Sequence, residues 1–159
     1  MSDMKFRFAQ KKDSKLILEF ITELAVYEKM LDEVVATEDL LNEWLFEKKI
    51  AEVIFVMEND TEVGFALFFY NFSTFLGKGG IHLEDLFVKP QYRKKGYGKA
   101  LIKKLAEITV ERGCGRLEWS CLDWNRPSIE FYLSLGSEAL DDWTNFRLTG
   151  DNLIALSKG

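Results

Sequence analysis

The sequence predicts an α+β (mixed α/β) fold: a central mixed, mostly antiparallel sheet of six to seven strands, flanked by about four helices, in one domain over residues 1–159. Three observations carry this. Short runs alternate apolar and polar residues, with a hairpin turn between two of them. Helical stripes begin at capping residues and end at glycines. One strand–helix–strand stretch in the second half reads as a crossover. With 47% hydrophobic residues, the chain has enough apolar surface for one real core.

The elements follow in order. Lys5 to Ala9 alternates and reads as a strand. Asp13 or Ser14 can cap a helix through Glu28, with Leu16, Phe20, Leu24 and Tyr27 near one face. Thr37-Glu38-Asp39 opens a second helix through Phe46, a capping residue followed by acids. Ala51 to Glu58 and Glu62 to Tyr70 are strands joined at Asn59-Asp60-Thr61, and Ile81 to Val88 is another. Tyr97 to Arg112 is a helix striped by Leu101, Leu105 and Ile108 and closed by Gly113. Arg116 to Leu122 is strand, Arg126 to Leu135 helix ending at Gly136, and Thr144 to Thr149 a last strand, with one more short strand allowed at Ser137 to Leu140. The order is βααβββαβαβ.

Composition excludes several functions. A net charge of −5 argues against general nucleic-acid binding. No apolar run approaches the ~20 residues of a membrane span, and the N-terminus lacks a secretory h-region. Two cysteines, Cys114 and Cys121, and the single His82 supply neither a disulfide framework nor a metal cluster, so no metal is expected and the cytoplasm is the expected location.

Charge is distributed unevenly. Lys89 to Lys104 holds seven basic residues and no acid, leaving 14 basic against 26 acidic residues elsewhere. Such an island suggests an anion held at one place. Its centre, Arg93-Lys94-Lys95-Gly96-Tyr97-Gly98-Lys99, lies between a strand and a helix. Glycines let backbone approach a ligand, and the first helical amides point outward at the positive end of the helix dipole, a seat for phosphate. A nucleotide P-loop is excluded because Ala100 stands where Ser or Thr is needed, and a dinucleotide fingerprint because Leu101 stands where a small residue is needed. A plain glycine turn with a solvated basic helix face remains the alternative.

Two further places carry chemistry. Glu84-Asp85 puts adjacent carboxylates in an apolar strand whose neighbouring side chains face opposite sides, so at least one acid leaves the solvated surface or enters a cleft. Structural ion pairing and a tuned acid–base site both fit this. From Glu19 to Glu62 there are 13 acids against Lys29, Lys48 and Lys49. Most read as solvated, yet a subset beside a cleft would concentrate a cation.

Val88-x-x-x-Tyr92-Arg93-x-x-Gly96-x-Gly98 resembles the GNAT acyltransferase superfamily, and the likeness is greater to spermidine/spermine (diamine) and thialysine N-acetyltransferases. Glu23-Leu24-Ala25-x-Tyr27-Glu28-x-Met30, Leu83-Glu84-Asp85-x-Phe87-Val88 and Trp124-Asn125-x-Pro127-Ser128-Ile129-x-Phe131-Tyr132 match further blocks in the family's order. The resemblance implies acetyl-CoA as cosubstrate, its pyrophosphate on the amides of residues 93–99 and its pantetheine arm along Leu86, Phe87 and Val88. It also implies that Asn125, Pro127 and Ser128 contact CoA, although on their own they read as a helix start. Glu84 is implied to take the proton of the amine through water, and Tyr132 to protonate the departing thiolate. Read alone, Tyr132 is an aromatic core residue beside Phe131.

The implied acceptor is a small cationic amine (polyamine, diamine or lysine-like) bound by Tyr27, Glu28, Glu84, Asp85, Glu118, Trp119 and Ser120. The implied assembly is a homodimer. One departure stands out: Thr144 aligns where polyamine enzymes carry an acid, although Asp142 is near. An acetyltransferase of protein lysines or N-termini, and a non-catalytic acetyl-CoA-binding module, are the other classes the sequence allows.

Overall fold

The computed structural model describes residues 4–159. The chain forms two compact units, Met1–Ser120 and Cys121–Gly159.

In the first unit, β1 (Met4–Phe8), β2 (Glu52–Glu58), β3 (Thr61–Ser73), β4 (Lys78–Val88) and β5 (Leu117–Trp119) form one sheet in the order β1-β2-β3-β4-β5. Neighbours are antiparallel except β4 and β5, which run parallel on either side of a helical crossover. That crossover, α3 (Tyr97–Glu111), covers one face, where it buries Leu101, Ile102, Leu105 and Ile108. The other face packs under α1 (Ser14–Tyr27), where Ile17, Phe20 and Leu24 meet Val53, Phe55, Phe65 and Phe87. Both faces being covered explains why Val53 to Val56 are all buried, an unbroken apolar run instead of alternation.

Thr37 caps α2 (Glu38–Leu41) by accepting from the Leu40 amide at 3.2 Å, as expected. The helix then widens into a π-helical segment, Asn42–Glu47, where regular helix was expected through Phe46. Asp13 does not cap α1 with its side chain. Its carboxylate instead accepts from Arg7 Nη1 and Nη2 at 2.8 and 2.9 Å and from the Gln10 amide at 2.7 Å. A charged, bidentate partner outcompetes the local cap.

Among the described residues the sheet has five strands, short of the six to seven expected. In the second unit, α4 (Arg126–Ser134) starts at Asn125, whose Oδ1 accepts from the Ser128 amide at 3.4 Å, and is followed by Gly136 at φ +90. Residues 143–149 form no regular element, and neither do 137–140. Thr144 to Thr149 alternates correctly, but a strand exists only when its N–H and C=O groups find a ladder partner, and Phe146 is 93% exposed. A helix, α5 (Gly150–Ser157), follows where the sequence reading placed no element.

Candidate active site

A register shift in the β3–β4 pairing builds the site. Leu67 pairs with Asp85 and the next residue, Phe68, with Leu83, so Glu84 is the extra residue of a β-bulge. The bulge resolves the two adjacent acids. Asp85 shares the α1 face with its ladder partner Leu67 and with Phe87, while Glu84 is thrown outward and half-exposed. Burial, and then the charges of Glu84 and Glu28, push the Asp85 carboxyl up to about 7. Glu28, at the C-terminal end of α1, is raised too, first by burial and then by the charge of Glu84. Three acids from two elements thus form one electrostatic cluster, with the desolvation and like-charge repulsion that mark functional sites.

Beside the cluster, β4 has an open edge. The β4–β5 ladder covers only Ile81 to Leu83, and β4 runs on to Val88. Among the described residues, the main chain from Glu84 to Val88 therefore has no strand on its β5 side, a slot in which an extended ligand with amide groups can pair.

The loop after β4 is shaped for an anion. Gly96 caps α3 at φ +89, a conformation costly for other residues, and a side chain there would meet nothing within 4 Å. Gly98 has no positive φ, and an added Cβ would lie 4.0 Å from Leu86 and Val88, ordinary contact. Nothing among the described residues requires glycine at 98, and without a side chain its backbone is open to close approach. The amides of Tyr97, Gly98 and Lys99 occupy the first turn of α3, where helices have no internal acceptors. The residues therefore fit a pyrophosphate group.

Individual side chains divide by position. Lys94 (φ +63) and Lys99 are exposed, and Lys95 lies 3.8 Å from Glu58. Tyr97 is buried, so only its amide serves the loop. Arg93 braces the loop from below: its Nε donates to the Val88 carbonyl at 2.9 Å, and its guanidinium lies 4.8 Å from the Tyr27 ring and 5.1 Å from that of Phe87. Tyr27 thereby joins the loop to the acid cluster, its ring 6.5 Å from Phe87.

On β5, Glu118 is held by Asn71 Nδ2 at 3.1 Å and lies 3.1 Å from Arg116 Nε, without the alignment of a hydrogen bond to the latter. Trp119 pairs with Leu83, and Ser120 is exposed just beyond. In the second unit, Pro127 and Ser128 lie in the first turn of α4, and Tyr132 packs against Phe131 with ring centroids 5.5 Å apart.

Sequence reasoning named Arg93 for the ligand but not its contacts with Val88 and Tyr27, the latter far away in sequence, and it left out one neighbour of the acids. His82 Nε2 stands 3.6 Å from Glu84 Oε1. The available signal for His82 was its place two residues before Glu84 on one strand.

Comparison with known proteins supplies the rest. The GNAT acetyltransferase family matches residues 18–136, across the boundary between the two units. The thialysine N-epsilon-acetyltransferase of Sus scrofa is 34% identical, over 99% of both chains. An L-ornithine N5-acetyltransferase of Arabidopsis thaliana is 46% identical over 63% of this chain and 44% of its own. Among solved structures, an integron cassette protein of V. cholerae superposes with a TM-score of 0.83 at 31% identity, covering 100% of this chain and 99% of that one.

Proposed function

Because the chain belongs to the GNAT acetyltransferase family and is an acetyltransferase, we propose that it transfers the acetyl group of acetyl-CoA to a primary amine of a small cationic acceptor. The acceptor class is a lysine-like amino acid, a diamine or a polyamine. The observation that carries this is the cluster of Glu28, Glu84 and Asp85 beside the open edge of β4. An acid held at about 7 by burial and by like charge is one that a bound cation stabilises, so the cluster is a place for an ammonium group. The names of the pig and Arabidopsis relatives, acetyltransferases of thialysine and of ornithine, support an acceptor with an amine at the end of an amino-acid side chain. Thr144 in place of an acid points the same way, toward short acceptors.

When bound, acetyl-CoA supplies an activated acetyl thioester. The amides of residues 97–99 and the cations Lys94 and Lys99 hold the pyrophosphate, with Arg93 bracing the loop. Leu86, Phe87 and Val88 pair with the pantetheine arm, and Asn125, Pro127 and Ser128 add contacts at the start of α4. An amine with a pKa of ~10.4 is neutral in only about one molecule in a few thousand at pH 7, so its proton must be removed. Glu84, half-exposed on the bulge, takes that proton through water, while Tyr27, Glu28 and Asp85, with Glu118 to Ser120, position the cation. The Leu86 amide stabilises the charge that develops on the carbonyl oxygen. Tyr132, a phenol protonated at neutral pH, gives its proton to the leaving sulfur. Transfer is direct, in a ternary complex. The two units work as one domain, in a cytoplasmic homodimer; none of the helices among the described residues is long and apolar enough to cross a membrane.

The test is CoA release across thialysine, lysine, ornithine, putrescine, spermidine, spermine and a lysine peptide, with product masses checked because Cys114 and Cys121 react with thiol dyes. Rapid acetylation of a free amine is expected. Acetyl-CoA binding without turnover of any amine, or a preference for the peptide, would overturn the acceptor assignment.

A further inference from the structure

His82 is the one histidine of the chain, and no step above uses it. Its ring stacks on Phe69, its ladder partner on β3, with centroids 5.1 Å apart. That packing fixes the ring plane and leaves the imidazole about a quarter exposed, with Nε2 3.6 Å from Glu84 Oε1. Glu84 is more exposed still, so a small rotation of its carboxylate closes the distance to a hydrogen bond.

We propose that His82 is a positioning residue that relays the acceptor's proton from Glu84 to solvent, resetting the base in each turnover. This rests on the reading of Glu84 as the base. The step balances. An ammonium N–H breaks as an O–H forms on Glu84 through the intervening water; that O–H then breaks as an N–H forms at His82 Nε2, and the imidazolium loses the proton to water.

The surroundings suit a transient imidazolium. Glu84 lies on its own strand. Across the β4–β5 ladder stands Glu118, its register partner, with Arg116 two residues earlier on the same side. β3 presents Phe69 and Asn71, neither ionisable. The Glu118 carboxylate is already occupied by Asn71 and Arg116, so it supplies fixed charge and leaves Glu84 as the carboxylate that exchanges protons with His82. Glu28 and Asp85 are the other acids coupled to Glu84 by charge.

The test compares the parent with His82→Gln, Glu84→Gln and the double variant, full-length, on the amine acetylated fastest. kcat is followed from pH 6 to 10 with and without added imidazole, and acetyl-CoA affinity serves as the check on folding. The expected result is a loss of about tenfold in His82→Gln at pH 7. The loss should shrink as pH rises, be partly rescued by imidazole, and add nothing in the Glu84→Gln background. Parental kcat and pH profile in His82→Gln, with Glu84→Gln slow, would overturn the relay and leave Glu84 as base. Full activity of Glu84→Gln would remove the base and the relay with it. A slow His82→Gln that neither pH nor imidazole restores would make His82 a packing residue and overturn the proposal.

Discussion

Asp85→Asn makes the tension in the acid cluster measurable. In the folded protein the Asp85 carboxyl is pushed from 3.8 to about 7 by burial and by the charges of Glu84 and Glu28. The unfolded chain loses this proton near pH 4 and the folded protein near pH 7, so between those values the folded state binds more protons and stability falls as pH rises. Below the lower value both states are protonated and nothing is lost. Above the upper value both are ionised and the loss is complete. At 1.36 kcal/mol per pH unit, the span from 3.8 to about 7 corresponds to about 4 kcal/mol.

Asn is close to Asp in shape and does not ionise. The stability difference between variant and parent should therefore grow by about 1.4 kcal/mol per pH unit from pH 4 and level off near pH 7. Glu28, raised first by burial and then by the charge of Glu84, is present in both proteins, so its burial cancels in the comparison, while its repulsion with Asp85 is part of the difference that is read. Urea unfolding of both proteins at unit steps from pH 4.5 to 8.5 reads the difference directly. For a domain of this size, about 4 kcal/mol amounts to roughly 10 °C in Tm at pH 8. A difference independent of pH would refute the reasoning, because it would mean that Asp85 ionises alike in both states. The same variant should lose acceptor affinity, the trade expected where a site is kept at the expense of stability.

Other outcomes follow from the same structure. Tyr132→Phe should lower kcat tenfold or more while acetyl-CoA affinity holds, and unchanged turnover would remove Tyr132 from the chemistry. Gly96→Val forces a β-branched residue to φ +89, at a strain on the order of 1–3 kcal/mol, and should weaken CoA binding in a calorimetric titration at least tenfold; normal affinity would show the phosphate seat to be misplaced. Gly64→Ala would set a Cβ 2.9 Å from the Phe87 carbonyl oxygen and 3.0 Å from Val56 Cγ1, an overpacking of about 1–3 kcal/mol visible as several degrees of Tm. An unchanged Tm there would mean that β2, β3 and β4 are less tightly packed at this point than their register indicates.

What the sequence by itself determined is what neighbouring residues decide. The Asn59-Asp60 turn, the Thr37 and Asn125 caps, the Leu101-Leu105-Ile108 stripe and the glycine-containing turn before α3 all stand where the residue pattern put them, because each depends on groups within a few positions. What only the tertiary structure decided depends on partners far along the chain. The alternation of a strand says that Glu84 and Asp85 diverge, but it was pairing with Leu67 and Phe68 that placed a bulge at Glu84 and sent Asp85 to the α1 face beside Glu28. Arg7 drew Asp13 away from its cap, and Tyr27 with Val88 turned Arg93 into a brace. Thr144 to Thr149 carries the pattern of a strand without becoming one, since a strand's hydrogen bonds belong to its neighbour as much as to itself.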